Sequence, residues 1–402
     1  MGDVKYAMDR PFYLNYANPA SYASLRAATF SLGAMVNRVR TFNETTSQDH
    51  DNGTLRYFGL GIPLTKKLGI SIGARPFTSL GYGIQVNTVN SSTTNDYYTR
   101  YEGEGGMNIV YGGVGYELIT DSIHTLSLGV NGNFYFGNKR QTTFNNVETT
   151  PGALNALFQS TSVTNDFGFD IGLIYRLNLT NLFNGSDTYE SSLTFGGTYS
   201  IPTDLKTRFE SFAGAFYYNG SRAFIITDTL SYSLDTTSIY LPQRYGVGIN
   251  YELFNRHTKN LWIVEADFEY NGWSGLKVNN LATDLENSSK YGVGLQFIPD
   301  ATGIRNFFKL LRYRVGANYK DTRISIAGTQ ITDMSASFGI GMPLVKSKSI
   351  YPSSSTIDIG VVVGNRGATS GGLIREQYTN FYIGLSFSPN FWDRWFQKRK
   401  IN

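Results

Sequence analysis

Charged side chains alternate with apolar ones in two segments, and these are the first places where the chain could do chemistry. Glu265, Asp267 and Glu269 take one phase of a segment whose other phase holds Trp262, Val264, Phe268 and Tyr270. Arg312, Arg314 and Lys320 share one phase of a later segment, opposite Tyr313, Val315, Ala317 and Tyr319. If the apolar phase faces lipid, the charges must line an interior, because a charge on a lipid face costs roughly 2–4 kcal/mol. Two roles fit them: an ionic ladder that knits a barrel wall, or a ligand carboxylate held by Arg312 or Arg314.

Other chemistries find no residues to carry them. The histidines His50, His124 and His257 fall in or beside separate expected loops and turns, without metal-ligand spacing. Gly103, Gly105, Gly106, Gly112, Gly113 and Gly115 contain fragments of a dinucleotide loop. They lie inside an alternating strand instead of between a strand and a helix, so small residues facing a crowded lumen are the expected reading. The chain is expected not to be an enzyme and to need neither cofactor nor metal.

The elements that must position these residues follow from composition. The chain has 402 residues, 15% aromatic and 16% charged, with 43 glycines and no cysteine. An average soluble domain has about 25% charged residues. A low charge content calls for a large buried core or a membrane, yet the uninterrupted apolar stretches are only a few residues, such as Gly360–Gly364, far short of the ~20 residues of a spanning helix. Mean hydropathy is −0.23, and glycine at roughly one residue in nine penalises helices. A closed antiparallel transmembrane β-barrel satisfies all of this, since only every second residue need be apolar. Absence of cysteine suits an envelope compartment, and a net charge of +4 gives no reason to invoke nucleic acid. The barrel predicts a multi-pass protein of the bacterial outer membrane. With no signal peptide at Met1–Lys5, the chain is expected to be a mature or truncated form.

Period-2 alternation marks the strands. Tyr245, Val247, Ile249 and Tyr251 alternate with Gly246, Gly248 and Asn250, and Phe167, Phe169, Ile171, Leu173 and Tyr175 form another such face. Counting predicts fourteen strands: 28–40, 54–63, 68–86, 98–118, 124–140, 166–179, 189–202, 240–253, 260–274, 289–298, 310–320, 331–343, 356–364 and 380–388. An even number is expected of a bacterial barrel with short turns on the periplasmic side and long loops outside. The long, polar connections are 41–53, 87–97, 141–165, 203–239, 275–288 and 365–379.

Pro76 is the sharpest single feature, set between Arg75 and Phe77 in the third strand. Proline cannot donate to a ladder, and a closed barrel has no free edge to hide it on. A kink or bulge is expected there, with missing ladder bonds to a neighbour and hence a lateral opening.

The order of several short motifs resembles the FadL/TodX family of outer-membrane transporters. Asn15–Ala20, followed by Ala27–Ala34, resembles that family's hatch-to-first-strand junction, with Asn18, Pro19 and Ala20 as its N-P-A core. Leu241–Gly248 looks like its strand-opening motif and Ala266–Ser274 its W-S strand end. Tyr313–Tyr319 also matches in order, and Pro76-Phe77 falls on the strand that is kinked in the family. The resemblance implies long-chain fatty acids or other hydrophobic compounds as cargo, a lumen plug, and passive uptake through a lateral wall opening. Arg75, Pro76 and Phe77 are then exit candidates, and Arg312 and Arg314 ligand candidates. The junction comes after only seventeen residues, earlier than in the family. The expected divisions are a plug (1–26), the barrel (27–389) and a periplasmic tail (390–402).

The tail concentrates Trp392, Trp395 and Phe396 beside Arg394, Lys398, Arg399 and Lys400. Its expected role is a membrane-surface anchor, with docking to a periplasmic partner as the competing role. Expected partners are outer-membrane lipid, a hydrophobic small molecule, and other outer-membrane or periplasmic proteins. Fold does not separate a transporter from a barrel that carries no solute and serves as a fixed subunit of a machine for protein secretion or barrel assembly.

Overall fold

In the computed structural model the described residues are 1–43, 46–88, 97–147, 154–183, 188–218, 224–278, 281–302, 306–326, 328–344, 355–369 and 373–388. The expected tail, with Trp392, Trp395 and Phe396, lies outside them.

The wall is a closed antiparallel barrel. Its first seven strands are β1 (Thr29–Phe42), β2 (Ser47–Pro63), β3 (Leu68–Thr88), β4 (Tyr97–Thr120), β5 (His124–Val147), β6 (Asn155–Asn178) and β7 (Tyr189–Ser200). They are followed by β8 (Thr203–Tyr218), β9 (Phe224–Leu241), β10 (Arg244–Asn255) and β11 (Leu261–Asn271). After two short strands, β12 (Lys277–Val278) and β13 (Leu281–Ala282), come β14 (Ser288–Ile298), β15 (Arg312–Ile326), β16 (Thr329–Pro343), β17 (Thr356–Gly367) and β18 (Arg375–Phe387). Pairing of β1 with β18, from Phe30↔Phe387 to Phe42↔Arg375, closes the ring.

Fourteen staves make this ring. β6 pairs with β7 along its second half and with β8 along its first, so β8 continues β7 past a break at Ile201-Pro202. Likewise β9 pairs with β8 and β10 with β7, with a break at Pro242-Gln243. The count of fourteen therefore stands, but the connection 203–239 is not a loop. It is a hairpin of two long strands, and β4, β5 and β6 each run to 24 residues. About 9–11 residues suffice to cross the bilayer. The extra length raises β3, β4, β5, β6, β8 and β9 above the rest of the wall. These raised parts escaped sequence reading because strands in water need no apolar face, so Ser, Thr and Asp there mimic loops.

Sides follow the alternation. Val247, Phe167, Phe169, Ile171 and Leu173 are exposed, whereas Asn131, Asn133, Asp170, Thr194 and Asn250 are buried on the inner face. Cross-strand aromatic pairs stand near both ends of the apolar belt: Trp262 with Phe297 at 4.2 Å, and Tyr245 with Tyr270 at 4.9 Å. Such pairs sit where a barrel meets each membrane interface.

Residues 1–26 contact the inner face on nearly every side. Gly2 donates to Ser337 on β16, Lys5 and Tyr6 bond to β11, Asn18 bonds to β6, and Phe12 accepts from Ser388 beyond β18. Only a segment lying inside the ring can reach all of these. Glycines let it approach: a Cβ on Gly196 would lie 1.9 Å from the Tyr6 carbonyl oxygen, and one on Gly69 1.9 Å from that of Tyr22. Gly113 and Gly115, from the cluster noted in the sequence, also face this segment.

Candidate functional site

The ladder between β2 and β3 is short. It runs from Pro63↔Gly69 to Phe58↔Ala74, six pairs, and stops one residue before Arg75-Pro76. Beyond that rung β2 pairs with β1 only, whereas β3 stays paired with β4 to its end. Six residues at about 3.4 Å rise, tilted about 40°, reach roughly 15 Å, and the apolar band of a barrel is about 25 Å tall. The ladder is therefore shorter than the apolar band of such a barrel, and above it the wall is split between β2 and β3.

Two bulges shape the split. On β3 the register with β4 slips between Pro76 and Thr78, so Phe77 has no partner of its own. The hydroxyl of Thr78 accepts from the Met107 N–H at 3.2 Å, which compensates part of the ladder. On β2 the register with β1 slips at Arg56, since Gly33 faces Tyr57 and Ala34 faces Leu55. The absent proline N–H explains the first bulge physically.

Aromatic side chains stand behind the gap. Tyr16 of the amino-terminal segment lies 5.1 Å, ring to ring, from Tyr57 on the β2 side. On the β3 side the Arg75 guanidinium is 5.9 Å from the Tyr16 ring centre, a cation–π contact. Phe77 meets Tyr135 edge-on at 5.1 Å. Farther in, Leu14, Tyr22, Leu25, Ile109, Tyr111 and Tyr135 form the buried cluster against which Tyr16 and Phe77 pack. A cavity of about 530 Å³ in the lumen reaches Tyr16, Arg56 and Tyr57 and continues to Arg314, Asp358 and Tyr382.

The amino-terminal segment is knotted by its own side chains. Asn18 accepts from the Ala20 N–H at 3.1 Å, capping the short 3-10 helix Pro19–Ser24, and donates to the carbonyls of Tyr6 and Leu173. Pro19 sits at the first helical position, where no N–H is needed. Ala20 is completely buried. Asn15 donates to the Lys5 and Met8 carbonyls at 2.6 and 3.0 Å.

Two members of the acidic ladder serve this segment, while Glu265 accepts from Asn250 on β10 and Glu269 stands opposite Lys290 in the wall. Asp267 accepts from the backbone N–H groups of Lys5 and Tyr6 at 2.5 and 3.0 Å. Glu269 accepts from the Lys5 ammonium at 2.8 Å and from the Tyr6 hydroxyl at 2.5 Å. Asp9–Arg176 and Arg26–Glu117 are further ion pairs between segment and wall, and Lys290 holds Asp3. Enclosure within the barrel opposes the charge on Asp3, whose side chain still reaches solvent, yet Lys290 and Lys5 outweigh it and hold its carboxyl well below the usual carboxylate range.

The candidate residues are thus divided. Arg75, Pro76 and Phe77 gather at the split, and Asn18, Pro19 and Ala20 fix the segment behind it. Arg314 points into the lumen but is engaged by Asp358 at 2.5 Å and Gln296 at 2.7 Å, a wall-to-wall contact. Arg312 lies beside it on β15, opposite Gly341. Tyr16 and Tyr57 were not singled out from the sequence. Tyr16 lies inside the N-Y-A-N-P-A motif and Tyr57 shares the inward phase of Gly59 and Gly61 on β2, but nothing local marks the contact between them.

A family model described as BamG matches residues 1–402. A comparison with curated proteins finds no relative. Among solved structures, the toluene transporter TbuX of Ralstonia pickettii superposes with a TM-score of 0.54 at 14% identity, covering 97% of each chain. A FadL homologue of Pseudomonas aeruginosa gives 0.54 at 11% identity, over 96% of this chain and 97% of that one. The P. putida toluene transporter TodX gives 0.53 at 13% identity, over 93% of each. The resemblance to FadL/TodX proteins is thus one of fold, and the matching family model carries a different name.

Proposed function

The chain belongs to the BamG family; from the split wall and the fold shared with hydrocarbon transporters we propose an outer-membrane barrel that passes hydrophobic small molecules laterally between its lumen and the bilayer. The observation that carries this reading is the end of the β2–β3 ladder at Phe58↔Ala74, in front of Tyr16, Tyr57 and Phe77. A solute leaving there enters hydrocarbon directly. It avoids the cost of exposing apolar surface to water, about 0.8 kcal/mol per methylene. The residues 1–26 act as the plug that closes the lumen to free flow, and passage needs no energy source beyond the gradient. The fold shared with toluene transporters supports a compact aromatic hydrocarbon as the first probe.

The test uses the absence of cysteine from the chain. Single variants Phe77→Cys and Tyr57→Cys are made in the full barrel, and uptake of toluene is followed before and after treatment with a bulky lipid-soluble maleimide. Labelling at either position should slow uptake several-fold, while labelling at Val247→Cys, on the lipid face away from the split, should not. Equal uptake after labelling at all three positions would remove the lateral route.

A second reading has its own support: a barrel that carries no solute and is a fixed subunit of a larger outer-membrane machine, for protein secretion or barrel assembly. The family name separates the chain from the hydrocarbon transporters, and the raised strands offer surface that lipid does not cover. Recovery of the same envelope proteins with this chain from native membranes, together with toluene uptake unchanged by its deletion, would favour that reading.

A further inference from the structure

We propose that the outer edge of β9 is a docking site for an extended, basic, amphipathic strand of another polypeptide, added to the raised sheet by β-augmentation. This inference does not depend on the solute route.

β9 is paired with β8 along its length, but on its other side β12 reaches only Ile239 and Tyr240. β11, the next stave, pairs with β10 and ends at Asn271. Among the described residues, no strand pairs with the outer edge of β9 from Ile225 to Thr236. This edge stands above β10, whose 12 residues already cross the bilayer, so it lies in water. A row of unpaired N–H and C=O groups there is a template for another strand.

The side chains specify which strand fits. Leu234, Tyr232 and Ile226 stand opposite Glu210, Phe212 and Phe216 on one face. Tyr232 and Leu234 remain 56% and 49% exposed there. That face carries a cavity of about 620 Å³ lined by Phe144, Leu157, Phe212 and Ile226. The other face carries Asp228, Ser231, Ser233 and Asp235, and β9 contains no Lys or Arg at all. An added strand would therefore cover Tyr232 and Leu234 with its apolar residues and meet the two aspartates with cations. A second copy of β9 would instead bring four carboxylates along one face with no cation, so self-pairing is disfavoured. Bulges at Leu230 and Thr227 twist the upper edge and concentrate the site between Ser231 and Thr236.

The test uses the full chain in detergent and a fluorescent, end-capped ten-residue peptide that alternates valine with lysine. Anisotropy should show saturable binding that falls at least tenfold for Asp228→Lys/Asp235→Lys, and that variant should gain affinity for the valine–glutamate peptide. N-methylation of alternate peptide amides should abolish binding, which simple charge attraction would not require. If the double reversal fails to fold, Asp235→Asn alone should weaken binding several-fold. Absence of saturable binding, or binding indifferent to both charge reversal and N-methylation, would overturn the proposal. So would a photo-crosslinker at Ser233 that yields, in native membranes, a product of twice the mass of the chain, because a second copy would then occupy the edge.

Discussion

The guanidinium of Arg75 lies 5.9 Å from the ring centre of Tyr16, and through that contact the amino-terminal segment closes the inner side of a split whose outer side is open. Tyr16 also stacks towards Tyr57, so one residue of the lumen segment bridges both strands that the wall leaves unpaired. Tyr16→Ala should remove the bridge without touching the wall. Toluene uptake is expected to rise several-fold while the barrel keeps its thermal stability. A fall in uptake at unchanged stability would show that Tyr16 guides the solute instead of blocking it.

Pro76→Val supplies the missing N–H where the β2–β3 ladder has ended and the β3–β4 register slips. The expected outcome is added hydrogen-exchange protection at residues 75–77 and slower toluene uptake, opposite in direction to the Tyr16 variant. Faster exchange at these amides would mean that the bulge is set by Phe77 packing on Tyr135 and not by proline.

Close approach gives a prediction with a built-in control. In Gly69→Ala the new methyl group would sit 1.9 Å from the Tyr22 carbonyl oxygen, so the short helix must leave its seat or distort, at a cost of about 1–3 kcal/mol. Gly112→Ala places its methyl where no atom lies within 4 Å. Trypsin cleavage after Arg10 should accelerate in the first variant and not in the second. Equal cleavage in both would show that the segment is not held by this contact.

The Asp3 ion pair should be lost only in strong acid. The folded pKa of Asp3 is depressed by Lys290 and Lys5 against the opposing effect of burial. Its contribution is fully present above the unfolded value, about 3.9, and is lost as pH falls through the lower folded value. A spin label on Met8→Cys should therefore gain mobility in a step below about pH 4, and Asp3→Asn should remove that step. Mobilisation above pH 5 would assign the anchoring to a different group.

Sequence alone determined the wall. Tyr245–Tyr251 and Phe167–Tyr175 alternate because lipid selects every second side chain, a local and periodic demand that survives in one dimension. The same reasoning isolated Pro76, since a missing N–H is a property of the residue itself. What the sequence could not order was everything decided by what lies across the lumen or above the membrane. Asp267 and Glu269 have the right phase to pair with wall cations, but Lys5 and Tyr6, some 260 residues away, bond Asp267 through their backbone N–H groups and Glu269 through their side chains. Tyr57 takes the inward phase of Gly59 and Gly61 on β2, but only the fold sets it against Tyr16. The strands of 203–239 lack the lipid-facing code because water surrounds them, so only their ladder with β6 and with each other, a long-range contact, reveals them as strands.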